Sequence, residues 1–326
     1  MLRLRERRAL PLLVGVVLIG LGFFGHAPLE DRGLAAEPGK ADVLWIMVDV
    51  TGRGFQGDAH LIVGGQGQTV LIDGGEYVNG RDKLLPLLRR QRIQKIDAAF
   101  ITHAHFDHMG GVLALLDANV PIGTIYMHQT TTPESCRKED FRNFGCRWGE
   151  IEGIRARAGA RGIALHGWSD WTETPIGKAG RLVKVVAFEH GECPIGCDLN
   201  DTSLIARLEV HGHRVLFTGD LNRPLGDWLV QHKADELDAR FLKVPHHGTD
   251  GTASDEFFRA VRPRYSFVPA PTRLWCSERS ARVRTQLLAL SGAIFVSEAH
   301  GDVFTHFFPD GTYAINATRR PARTCP

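Results

Sequence analysis

Three histidines and an aspartate fall within six residues, His103, His105, Asp107 and His108, in the pattern His-x-His-x-Asp-His. Neutral imidazole and carboxylate are the groups that zinc and similar divalent ions prefer. The cluster lies between an apolar run, residues 98–102, and the pair Gly110-Gly111. A surface patch of histidines rarely has that setting. His103 and His105 are expected to project to one side of an extended turn. Asp107 and His108 are expected on another side, at the start of a helix. Ligands aimed two ways suit two metal ions. A bound divalent ion lowers the pKa of water from about 15.7 towards 7, which supplies hydroxide at neutral pH. The expected chemistry is therefore hydrolysis by a metal-bridged hydroxide, with Asp107 as the catalytic group that holds the water and takes its proton. No serine or cysteine stands in a nucleophile motif.

The elements that must position this cluster alternate between strands and helices. Strand patterns cover residues 43–48, 59–63, 69–73 and 98–102, then 182–188, 203–210, 214–218, 241–244, 265–268, 293–296, 303–308 and 312–315. Helical patterns cover 80–93, 109–116, 224–232, 253–261 and 278–290. Gly64-Gly-Gln-Gly67 reads as a hairpin turn, and no helix follows it to make a dinucleotide site. Residues 130–178 lack a clear period and read as a long variable insertion. Strands followed by mixed strand and helix, twice over, predict an α/β body of two similar halves. Asp73, after a strand and before Gly-Gly, is expected to orient a metal-bound histidine, and Asp58 less strongly so. His128, His166, His211, His213 and His232 show no partner pattern and are expected at the surface or in turns.

The chain has 326 residues, of which 43% are hydrophobic and 23% charged, which excludes a mainly disordered or fibrous protein. Residues 3–8 hold four arginines, and residues 9–29 carry no formal charge. That layout predicts a secretory signal cleaved after Ala36, or a membrane anchor. The domain division is thus 1–36 for targeting and 37–326 for the hydrolase, placed in the periplasm or outside the cell. Without residues 1–36 the remainder has 34 basic and 34 acidic side chains, down from 39 and 37 in the whole chain. That neutrality argues against a global nucleic-acid-gripping surface, although Arg137, Lys138, Arg142 and Arg147 could form a local patch. Six cysteines in an oxidising compartment predict disulfides. Local closeness favours Cys136–Cys146 and Cys193–Cys197, which leaves Cys276–Cys325.

The residues already quoted, together with Leu71–Gly75, Phe217-Thr-Gly-Asp220 and Val244-Pro-His-His-Gly248, resemble the metallo-β-lactamase-fold hydrolases over nearly all of residues 43–315. The resemblance implies a four-layer αββα sandwich. It is nearest the ComEC-type soluble hydrolase domain, through Asp49, Gln56–Ala59, Asn200–Leu204 and Lys243–Gly248. It implies as metal ligands His103, His105, Asp107, His108, Asp220 and His246. His190 either reaches the metals as a further ligand or leaves that ligand absent. Adjacent residues in an extended loop point apart, so His246 is taken as the ligand and His247 as the catalytic proton donor or phosphate contact. The cofactors expected are two divalent ions, zinc or manganese. The function expected is an exported phosphodiesterase, and the alternative is a β-lactamase or lactonase of the same fold. The expected partner is a phosphodiester-containing substrate, nucleic acid or cell-wall polymer. No obligate protein partner is evident, and membrane contact is expected only through the N-terminal segment.

Overall fold

Val43-Leu-Trp-Ile-Met47, strand β1, alternates its side chains between two different cores. Val43, Trp45 and Met47 pack with the strands of a second sheet, and Ile46 and Val48 pack with helices on the outer face. That period of two is what a strand buried on both faces requires. The computed structural model describes residues 41–52, 55–136, 145–189, 193–195 and 198–325. The expected targeting segment 1–36, His190, Cys197 and the basic residues Arg137, Lys138 and Arg142 lie outside these described residues.

The first sheet contains β1, β2 (His60–Gly64), β3 (Thr69–Ile72), β4 (Ile96–Phe100), β5 (Ile122–Tyr126), β6 (Ala164–His166), β14 (Val303–Phe307) and β15 (Tyr313–Ala317). Its order is β15-β14-β1-β2-β3-β4-β5-β6, antiparallel as far as β3 and parallel from β3 to β6. The second sheet contains β7 (Glu173–Ile176), β8 (Gly180–Val186), β9 (Ile205–Val210), β10 (His213–Phe217), β11 (Phe241–Lys243), β12 (Tyr265–Val268) and β13 (Ala293–Val296). Its order is β13-β12-β11-β10-β9-β8-β7, antiparallel from β7 to β10 and parallel from β10 to β13. Each half thus repeats one plan, antiparallel strands leading into parallel ones.

Three apolar clusters separate four layers. Helices Phe106–Asp117 and Trp148–Ala160 pack Met109, Val112, Leu115, Ile151 and Ile154 on the first sheet. The two sheets meet around Trp45, Phe100, Phe217, Phe241 and Phe267, with the Trp45 and Phe267 rings 4.3 Å apart. Helices Arg223–His232, Asp255–Val261 and Ala281–Leu290 cover the second sheet with Leu225, Leu229, Phe257 and Leu287. Each large side chain buried in these layers contributes about 1.5–3 kcal/mol of transfer free energy. The expected αββα sandwich is therefore observed. The stretch 130–178 is built into the body rather than set apart from it, because it supplies a helix and the edge strands β6 and β7, one for each sheet. Its missing period reflects short, half-exposed edge strands. Among the described residues no helix is long and apolar enough to cross a membrane.

Helix Phe106–Asp117 is seated by backbone. Gly74 N–H donates to His108 O at 2.7 Å and Gly111 N–H to Gly75 O at 2.7 Å. A Cβ on Gly111 would lie 1.9 Å from Gly74 O, and backbone cannot swing aside. Gly111→Ala should therefore cost about 3 kcal/mol in urea unfolding. Gly159→Ala, where nothing lies within 4 Å of the added atom, should gain about 0.5 kcal/mol.

Candidate metal centre

The carboxyl ends of β3, β4, β10 and β11 lie at one end of the sandwich, and the chemistry-bearing residues sit at that end, in the adjoining loops, at the end of β11 and at the start of helix Phe106–Asp117. Crevices beyond the carboxyl ends of parallel strands are the usual ligand sites of open α/β sheets. From the first half come Asp58, Asp73, His103, His105, Asp107 and His108. From the second come Asp220, Lys243, His246 and His247. All except His246 are buried.

His108 stands at the middle. Its Nδ1 is 2.8 Å from Asp73 Oδ2, and its Nε2 is 3.2 Å from Asp220 Oδ2. Asp73 is itself fixed, since its Oδ1 accepts from Thr102 N–H at 2.8 Å and its Oδ2 from the Thr102 hydroxyl at 2.8 Å. This is the orienting carboxylate that the sequence suggested. The His103 ring centroid is 4.1 Å from that of His108, and His103 Nε2 is 3.1 Å from His105 Nδ1. His105 sits where a lone bridge to Cys146 and a 2.9 Å bond from Phe106 N–H to Gly145 O hold the chain. Cys146 is tied to Cys136, as local spacing suggested, and Cys276 to Cys325, the pair that remained.

The structure brings His247, rather than His246, into the buried cluster. The segment Pro245–Gly248 is a tight turn with both histidines in the left-handed region, at φ 47° and 54°. The premise of an extended loop therefore fails. His247 is wholly buried, with Nε2 3.0 Å from Asp220 Oδ2 and 3.4 Å from Asp107 Oδ2. Its Nδ1 is 2.9 Å from Pro269 O, which fixes the ring. His246 is half-buried at the rim, its Nδ1 2.8 Å from Asn222 Oδ1. Donor atoms within 4.8 Å of one another group His103 with His108 and Asp220, Asp107 with His108 and His247, and Asp58 with Asp220 and His247.

Lys243 and Asp58 are the members that sequence reasoning underrated. The Lys243 ammonium is buried against Asp58 and Gly219 O and is 3.4 Å from Asp220 Oδ1. It engages one oxygen of Asp220 and leaves Oδ2 to His108 and His247. The one signal for it was a charge inside the apolar strand Phe-Leu-Lys-Val. His128, expected at the surface, is buried, with Nε2 2.9 Å from Thr202 O. It braces the loop whose Ser203 hydroxyl accepts from Asp220 N–H at 2.9 Å and lies 3.3 Å from His103 Nδ1.

The electrostatics are those of a cation site. Burial works against charge on His108, yet Asp220, Asp73 and Asp58 outweigh it and hold its pKa well above the ordinary value. Burial likewise opposes charge on His247, and Asp220 and Asp107 raise it to about 9. Burial would raise Asp107, but His247 and His108 hold it down at about 2. Burial lowers His105 to about 4 and His103 well below its usual value. Without metal, protons on His108 and His247 thus balance the carboxylates. The residues fit a metal, because the Nε2 atoms of His105, His108 and His247 are buried without a well-directed hydrogen bond, those of His108 and His247 lying at ion-pair distance from Asp220 Oδ2. Buried polar atoms are seldom left so.

Behind the rim, burial and the neighbouring Asp198 raise Asp201 to about 7, while its Oδ1 accepts from Asn222 N–H at 2.8 Å. A carboxyl raised in the folded state stabilises fully below its unfolded pKa. That contribution is lost as pH climbs from about 4 through 7. Asp201→Asn does not titrate, so its stability relative to the parent should improve by about 2 kcal/mol between pH 4 and pH 8. Chemical unfolding at the two pH values measures this.

The chain is 25% identical over 193 residues to ComE operon protein 3 of Bacillus subtilis (strain 168), covering 59% of this chain and 22% of that protein. It is 25% identical over 211 residues to Competence protein ComA of Neisseria gonorrhoeae, covering 62% of this chain and 25% of that one. The match thus spans about a quarter of the length of either relative. Among solved structures, the CmlA beta-hydroxylase E377D mutant aligns with a TM-score of 0.46 at 15% identity, covering 82% of this chain and 54% of that one. The family model described as Metallo-beta-lactamase superfamily matches residues 52–271, and the chain belongs to that superfamily.

Proposed function

We propose that the protein is an exported phosphodiesterase working through two divalent metal ions. The observation that carries this reading is the buried cluster in which the Nε2 atoms of His108 and His247 meet the ionised carboxylates of Asp107 and Asp220, with the unpartnered Nε2 of His105 buried next to His103. His103, His105, Asp107, His108, Asp220 and His247 would hold the ions, with Asp73 and Lys243 fixing His108 and Asp220 from behind. Bound there, such ions would lower the pKa of water and stabilise the charge that builds on an attacked phosphoryl group. Asp107 and Asp220, both held ionised, supply negative charge that divalent ions would answer.

The chain's own groups divide the remaining work. Asp107 stays ionised and orients the attacking water by accepting a hydrogen bond from it. His246 takes the rim place first given to His247. Its Nδ1–H donates to Asn222 Oδ1, which turns Nε2 away from Asn222. Burial keeps His246 neutral at rest, and an arriving phosphodiester anion favours its protonated form. It is then placed to contact the phosphate and protonate the leaving oxygen. Ser203 is not the nucleophile in this reading, since its hydroxyl is engaged by Asp220 N–H. Export is supported by the arginine-then-apolar order of residues 3–29.

The full chain loaded with zinc, manganese or iron should hydrolyse bis-p-nitrophenyl phosphate. Asp107→Asn should lower kcat about 10³-fold. His246→Ala should keep its metal, raise KM and lower kcat about 10²-fold. Turnover of a chromogenic cephalosporin instead of the phosphodiester would transfer the assignment to the lactamase or lactonase reading. No turnover of either by metal-loaded protein would end both.

A further inference from the structure

The end of the sandwich opposite the metal centre carries a groove of about 970 Å³. Its wall holds Lys178, Arg181, Arg214, Arg240, Arg262 and Arg264, against Glu209 and Asp238 as the acids. Arg181 pairs with Glu209 at 2.8 Å and Arg262 with Asp238 at 3.3 Å, in pairs open enough to solvent to be worth little. Arg240 lies over the Tyr313 ring and Arg264 over Tyr265, each 5.7 Å from the ring centroid. Lys178 and Arg214 have no ion-pair partner among the described residues. Residues 37–326 carry equal numbers of acids and bases, 34 of each. An excess of four positive charges in one groove is therefore a local concentration, offset by acids elsewhere.

Two placements give the groove a direction. His213 opens β10 at the groove, and the same strand ends at Phe217, three residues before Asp220. A strand of five residues spans about 17 Å, so the groove and the metal centre face opposite ways. The chain also enters the body here. Asp42 Oδ2 is 3.0 Å from His211 Nε2, and Val43 stands against Gly180, both groove residues. Eleven residues, 30–40, separate that entry point from the uncharged run 9–29.

We infer that this groove is a docking surface for an anionic membrane, seating lipid phosphates against its arginines and Lys178 and turning the metal centre away from the bilayer. Basic side chains near an anionic leaflet add attraction that salt screens. The membrane contact thus extends beyond the N-terminal segment, and it does not depend on what the metal centre hydrolyses.

The test uses the full chain and a double variant, Lys178→Glu with Arg214→Glu, both outside the catalytic machinery. Binding is measured by flotation with vesicles of equal parts phosphatidylglycerol and phosphatidylcholine, and with pure phosphatidylcholine. The apolar segment contributes to both, so the preference between them is the readout. The parent should prefer the anionic vesicles by about thirtyfold or more, and about 0.5 M salt should remove the preference. The double variant should lose it while keeping the parent's melting temperature and metal content. Equal binding of the parent to both vesicles, or an undiminished preference in a folded variant, would overturn the proposal. So would tighter binding of a single-stranded oligonucleotide than of the anionic vesicles at the same salt.

Discussion

Four carboxylates, those of Asp58, Asp73, Asp107 and Asp220, are buried at one end of the sandwich, and the rest of the structure answers to their mutual repulsion. Ionised groups cannot be crowded out of water without cations beside them. Lys243 supplies one fixed cation. His108 and His247, whose pKa values the carboxylates raise, supply two more. The carboxylates also come from both halves, Asp220 from beyond β10, Asp58 and Asp73 from loops of the first half and Asp107 from the start of its helix. The centre therefore forms only when the two halves pack face to face, and the core around Trp45, Phe217 and Phe267 is part of its support.

Precision at this end comes from short-range hydrogen bonds, ion pairs and backbone contacts. Thr102 locks Asp73, Asp73 locks His108, and Lys243 holds one oxygen of Asp220. Gly74 and Gly111 bring the helix bearing Asp107 and His108 into backbone contact with the loop after β3. Two successive residues at positive φ, His246 and His247, store local strain at the place where one ring must turn inward and the other outward. Each device costs conformational freedom, and each serves a donor atom.

Much of this was legible in the sequence, for physical reasons. Strand β1 reads as a short continuous apolar run because both its faces are buried. The His-x-His-x-Asp-His run needs no tertiary information, because its ligands are neighbours in the chain. The roles of His246 and His247 were not legible, because they hinge on a backbone conformation that non-glycine residues seldom adopt. His128 and Lys243 were also missed, since what makes them matter is a partner 74 residues away in one case and Asp58 and Asp220 in the other. Edge strands β6 and β7 gave no period because they are only partly covered. The basic groove likewise has no signature in the chain, as its members are spread from residue 178 to residue 264 and meet only where strands end.

The account stands on the claim that the converging carboxylates and imidazoles hold two divalent ions. Elemental analysis of the full chain, prepared without chelator, tests that claim most directly when paired with the same analysis of His247→Ala and His246→Ala. The account predicts close to two transition-metal ions per chain in the parent and in His246→Ala, and a clear loss in His247→Ala. Fewer than one ion per chain in folded parent protein, or loss through His246→Ala with His247→Ala unaffected, would contradict it.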